Sequence, residues 1–134
     1  MKRLRQPKLT APQLAMLKVL WERGEATVTD VHQALQAERP LAATTIATQL
    51  SRLERRGVVA HRVDGRQFIY RALLSEANAR RHALVEVTDG LFEGDIPTLV
   101  SQLLSSHEVR PGDLAKVKAL IEAKEQELRK RRRS

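Results

Sequence analysis

The most constraining feature of this chain is a pair of alternating runs, residues 58–62 and 67–71, joined by Val63-Asp64-Gly65-Arg66. Asp-Gly is a strong hairpin signal, because a tight type I′ turn needs two positive φ angles. Three short helical segments and one brief β-branched stretch precede the hairpin. The first helix starts at Thr10-Ala11-Pro12-Gln13, a capping box with a proline where a missing N–H costs nothing. Leu14, Leu17, Leu20 and Trp21 form its buried face, and Gly24 ends it. Ala26-Thr27-Val28 reads as a short strand. Thr29 reads as the N-cap of a second helix over 30–37, with Val31, Ala34 and Leu35 inward.

The third helix, over 42–56 and stopped by Gly57, carries the functional signal. Ile46, Leu50 and Leu53 make its apolar stripe. Thr44, Thr48, Ser51 and Arg55 lie on the opposite face, with Thr45 and Arg52 at the edges. Ordinary solvated faces favour Glu and Lys, which are better helix formers than Thr or Ser. Helix, short strand, helix, helix and hairpin is the order of a winged helix-turn-helix. Its third helix fits a DNA major groove while the hairpin reaches adjacent phosphates. Hydroxyls and arginines suit phosphates and base edges. Arg62 and Arg66, at or near the hairpin tip, suit phosphate neutralisation.

The remainder reads as three helices over about 75–91, 95–106 and from Pro111 onward. Ser75 opens the first and Asp95 caps the second. Charge divides along the same lines. Residues 1–74 hold 13 Lys+Arg against 6 Asp+Glu; residues 75–128 hold 6 against 10; residues 129–134 hold five cations and no acid. The expected organisation is a winged-helix DNA-binding domain over 1–74, a helical dimerisation domain over 75–128 and a basic disordered tail over 129–134. Residues 1–9 read as a frayed basic arm. The fold class is mainly α with a small β wing.

Composition removes several alternatives. With no cysteine, thiolate metal sites, disulfides and Cys nucleophiles are excluded. One Trp, one Tyr and two Phe are too few for stacking platforms along a single strand. No apolar run is long enough to span a bilayer and no signal peptide is evident, so a cytoplasmic protein without membrane insertion is expected. His32, His61, His82 and His107 accompany no close carboxylate pair. His82 and Glu86, four apart on a helix, are the nearest approach to a metal pair and a common coincidence. No cofactor, metal or enzymatic activity is expected.

The segments Leu9-Thr10, Gln13-Leu14, Leu20-Trp21, Thr44-Thr45-Ile46-Ala47-Thr48-Gln49-Leu50-Ser51-Arg52-Leu53, Gly57-Val58-Val59 and Arg66 through Tyr70 appear in a fixed order. Leu91-Phe92-Glu93-Gly94-Asp95 and Leu99-Val100 follow them. In that order and spacing the chain resembles the penicillinase repressors of the BlaI/MecI type. The resemblance implies a dimeric transcriptional repressor whose winged helix reads double-stranded operator DNA, an inverted repeat with TACA/TGTA cores. By position Thr45, Thr48 and Arg52 match the family's recognition-helix pattern. It also implies induction by a membrane sensor that triggers proteolysis, a tie to antibiotic response. The family's cut falls at an Asn–Phe bond; the matching candidate here is Gln102-Leu103, a departure. Ala42-Ala43, where relatives carry polar residues, is a second departure. The cysteine motif of the copper-responsive branch is absent.

The expected DNA-contacting residues are therefore Thr44, Thr45, Thr48, Ser51, Arg52, Arg55, Arg62 and Arg66. A small module gains stability by burying its apolar stripes against a partner. The expected dimer residues are Leu91, Phe92, Ile96, Leu99, Val100, Leu103, Leu104, Leu114, Val117 and Ile121. Two alternatives stay open: a sequence-tolerant chromosome-coating protein, suggested by the formal net charge of +8, and a winged-helix protein–protein module. A MarR-type arrangement places a dimerisation helix before the winged helix, whereas here the helix-turn-helix starts about nine residues in.

Overall fold

The computed structural model describes residues 8–133. Most of the basic arm expected over 1–9 lies outside the described residues. The chain comprises α1 (Ala11–Arg23), β1 (Ala26–Thr27), α2 (Val28–Leu35), α3 (Ala43–Arg55), β2 (Val59–Asp64), β3 (Gln67–Ala72), α4 (Glu76–Phe92), α5 (Ile96–Ser106) and α6 (Pro111–Arg133). Mainly α with a small β wing is thus the observed class. Two compact units divide the chain, Met1–Glu86 and Val87–Ser134. The division falls inside α4, later than the charge boundary at 74.

The first unit is built by local chemistry that the sequence displays. Thr10 accepts from the Gln13 N–H while the Gln13 side chain accepts from the Thr10 N–H, closing the capping box of α1. Met16, Leu17 and Leu20 on α1, Val31 on α2, Ile46, Leu50 and Leu53 on α3, and Val59 on β2 are fully buried together. Leu14 and Trp21, expected in this core, are only half-buried, and Ala34 is exposed. Gln13 is the buried polar exception among the described residues. Its amide donates to Gln49 Oε1 at 3.0 Å, linking α1 to α3.

Three local expectations change. The cap of α2 is Thr27, not Thr29. Thr27 and Asp30 bond each other's backbone N–H reciprocally, at 3.0 Å each, which starts the helix two residues earlier. In the wing, Asp64 pairs with Gln67, so the two loop residues are Gly65 and Arg66. Only Gly65 has positive φ, at 63°. Glycine at the first loop position is the pattern of a type II′ turn rather than type I′. The sheet order is β1-β3-β2, with Ala26 opposite Tyr70 and His61 opposite Tyr70 from the other side.

The third change is at the C-terminus. The tail expected to be disordered continues α6 through Arg133. Arg and Lys are good helix formers, and cations suit a helix C-terminus. Arg131 also pairs with Glu127 one turn back, at 3.5 Å.

The second unit differs in kind. α5 is capped by Asp95, whose carboxylate accepts from the Thr98 N–H and hydroxyl. Neither α5 nor α6 has a buried residue. No described helix is long and apolar enough to cross a membrane.

Candidate nucleic-acid interface

α3 presents the site because its stripe of Ile46, Leu50 and Leu53 holds it against the core, which turns the hydroxyl–arginine face outward. Thr44, Thr45, Thr48, Arg52 and Arg55 are exposed, and Ser51 is half-buried. The Thr48 hydroxyl donates to the Thr44 carbonyl at 2.9 Å, which fixes its rotamer and leaves its lone pairs and methyl outward. Ala42 supplies no side-chain cap, so the first N–H groups of α3 keep the anion-attracting character of an open helix start.

The end of α3 sets where the wing begins. Gly57, at φ 78°, donates its N–H to the Glu54 carbonyl at 3.0 Å, and the Val58 N–H reaches the Leu53 carbonyl at 2.9 Å. That pair of bonds is a Schellman motif, and it turns the chain directly into β2. A side-chain clamp reinforces the geometry. His61 Nδ1 lies 2.6 and 2.8 Å from the two Glu54 carboxylate oxygens, and its ring stacks on Phe68 at 4.0 Å and 13°. Glu54 belongs to α3, His61 to β2 and Phe68 to β3, so three elements are tied at one point. Burial, and then the charge of Glu54, push the Tyr70 phenol up from its ordinary range. The His61–Glu54 pair is a contact that sequence reading does not single out. Its only signal in the sequence is the shared face of Val59, His61 and Val63 along β2.

A cleft of about 490 Å³ lies between α3, the start of α2 and the wing. Ser51 of α3, Thr29 of α2, and Arg66 and Gln67 of the wing all line it. Two expected DNA residues distant in sequence, Ser51 and Arg66, thus share one concavity. Arg52, Arg55 and Arg66 pair with no carboxylate among the described residues. Arg62 is different. Its Nε and Nη2 donate to the two Glu25 oxygens at 2.9 and 3.2 Å. The hydrogen bonds from Arg62, and then its charge, hold Glu25 below the usual carboxylate range. Arg62, expected as a phosphate contact, thus has a carboxylate partner on the surface, because β2 sets it beside the turn that follows α1.

Among the described residues no group of three His, Asp or Glu is placed to hold a metal ion. The expected dimer residues all lie in the second unit. Phe92 and Leu99 are half-buried; Leu91, Ile96, Val100, Leu103, Leu104, Leu114, Val117 and Ile121 are exposed. Gln102 and Leu103 sit inside α5 and are both exposed.

Comparison with known proteins fits this geometry. The sequence pattern described as penicillinase repressor matches residues 9–123. The chain is similar to the transcriptional regulator BlaI of Mycobacterium tuberculosis, at 36% identity over 72% of this chain and 86% of that protein. It is similar to the penicillinase repressor of Bacillus licheniformis, at 22% identity over 87% of this chain and 91% of that protein. Among solved structures it is similar to the DNA-binding domain of the repressor BlaI. That likeness has a TM-score of 0.50 and 28% identity, covering 58% of this chain and 93% of the other.

Proposed function

The chain belongs to the penicillinase repressor family, and from that membership we propose that it is a sequence-specific transcriptional repressor that binds an inverted-repeat operator as a homodimer. The observation that carries the reading is the outward face of α3 running into the cleft that Ser51 shares with Arg66. A helix presenting hydroxyls and unpaired arginines suits the major groove, and a cation at the wing tip suits the flanking phosphates. In this reading residues 1–74 are the DNA-binding domain. Thr44, Thr45, Thr48, Ser51, Arg52 and Arg55 face base edges and phosphates, and Arg66 faces phosphates. Arg62 joins only by releasing Glu25.

The same reading makes 75–128 the dimerisation domain, with Leu91, Phe92, Ile96, Leu99, Val100, Leu103, Leu104, Leu114, Val117 and Ile121 across the dimer axis. The protein works in the cytoplasm, where the DNA is. Release by a membrane sensor protease at Gln102-Leu103 belongs to this reading too. That bond lies within α5, so cleavage requires the helix to open first.

Selection of duplexes from a random library by the purified protein tests the function. The expected result is enrichment of an inverted repeat, bound about 10³-fold or more tighter than scrambled DNA at physiological salt. In Thr48→Asp that preference disappears, because a carboxylate is placed against base edges and phosphates. Enrichment of no sequence, with Thr48→Asp losing no more than one unit of charge predicts, would instead establish a sequence-tolerant DNA-coating protein.

A further inference from the structure

A second concavity, sharing no residue with the DNA-facing cleft, lies within the first unit between α1 and the start of α4. Its volume is about 870 Å³, inside the ~300–1,000 Å³ span of small-molecule sites. Leu14 and Trp21 of α1, Leu74 before α4, and Ala83 and Val85 of α4 give it an apolar lining. Leu14 and Trp21 are the two residues of α1 that sequence periodicity assigns to the core and the fold leaves half-buried. Trp21 is held rigid there by its indole N–H, which donates to the Leu74 carbonyl at 2.9 Å. A fixed aromatic wall with incomplete burial is a receptive surface.

Charge at the rim distinguishes this groove from an ordinary packing gap. Two of its cations are matched: Lys8 pairs with Glu86 at 3.3 Å and Arg80 with Glu76 at 3.1 Å. Lys18 and Arg81 also line the groove, and neither pairs with a carboxylate among the described residues. An apolar floor flanked by two unmatched cations complements a ligand with an apolar body and one anionic end.

We propose that the groove between α1 and α4 binds a small amphipathic carboxylate, its apolar body against Leu14, Trp21 and Val85 and its carboxylate between Lys18 and Arg81. The proposal is independent of the DNA-binding reading. The volume of about 870 Å³ and the two unmatched cations fit a small anionic amphiphile.

Trp21 is the only tryptophan of the chain, so its emission reports on the site directly. The experiment titrates the full-length protein with sodium octanoate and, separately, with octanamide, the uncharged match. Octanoate is expected to change Trp21 emission saturably and to bind about tenfold or more tighter than octanamide, the scale of charge-assisted contacts. The double variant Lys18→Gln, Arg81→Gln should lose that advantage while still binding octanamide. The charge-preserving pair Lys18→Arg, Arg81→Lys should keep it. Unchanged thermal melting and duplex affinity in the variants exclude a folding defect. Equal binding of octanoate and octanamide overturns the proposal, as does an octanoate affinity indifferent to both cations. An emission that shifts on dilution of the protein alone and ignores octanoate also overturns it, by showing that a second copy fills the groove.

Discussion

The two units solve the problem of burying apolar surface in opposite ways. In the first, α1, α2, α3 and β2 each contribute fully buried side chains to one core. In the second, α5 and α6 have no fully buried residue, and Ile96, Leu120 and Ile121 are 62%, 69% and 53% exposed. Such residues occur singly on any surface, but stripes at helical spacing on two successive helices are a face made to be covered. The first unit holds α3 in place with its own core, while the second leaves its apolar stripes exposed, as the proposed homodimer requires.

The largest effect is expected from charging the second unit's stripe. Val100→Asp with Leu103→Asp is expected to leave monomers by analytical ultracentrifugation. Operator affinity should fall roughly 10²–10⁴-fold, because the second half-site is no longer delivered by linkage. The melting of the first unit should not move. An intact dimer in that variant would remove the assigned face.

The converse change lies in the first unit. Leu50→Ala empties a fully buried position of α3 and is expected to cost ~2–5 kcal/mol. Urea denaturation at several protein concentrations would find that loss unaltered by dilution, since the site is internal to one chain. A smaller effect comes from Gly57→Ala. No atom lies within 4 Å of the added Cβ, so the cost comes from the left-handed φ of 78° alone, about 1–2 kcal/mol. That variant should also loosen the wing, seen as faster amide exchange in β2.

The mildest effect is expected on acidification, and it touches both units. Hydrogen bonds from Arg62 lower Glu25, bonds from the Thr27 backbone and hydroxyl lower Asp30, and bonds from Thr98 lower Asp95. A carboxyl whose folded pKa is depressed adds stability above its unfolded value and loses it as pH falls through the folded one. Urea midpoints should therefore fall below the ordinary carboxylate range, and Asp30→Asn should make that fall shallower. An unaltered slope would show that the capping box of α2 is not among the groups responsible.

Much of the first unit was legible because its signals are local. The Thr10–Gln13 box, the stripe of Ile46, Leu50 and Leu53, and the stop at Gly57 each depend on residues within a turn or two. The cap of α2 is local too, since Asp30 stands three residues after Thr27, and Thr29 competes with it only as a second hydroxyl two residues on. What stayed hidden depends on chain segments meeting in space. Arg62 finds Glu25 across 37 positions, and Glu54 meets His61 only because the Schellman turn folds β2 back along α3. Both pairs alter the candidate site. The first gives Arg62 a carboxylate partner, and the second fixes the wing against α3. Residues 129–133 continue α6 although a run of like charge suggests disorder, because their helix-forming side chains and the Arg131–Glu127 pair favour continuation.

Hydrogen exchange read by mass spectrometry, at protein concentrations spanning dimer dissociation, tests the contrast most directly. Amides of α5 and α6 are expected to lose protection on dilution while those of α1, α3 and β2 keep theirs. Protection in α5 and α6 that survives dilution to monomer would contradict it, and so would a loss that takes α1, α3 and β2 with them.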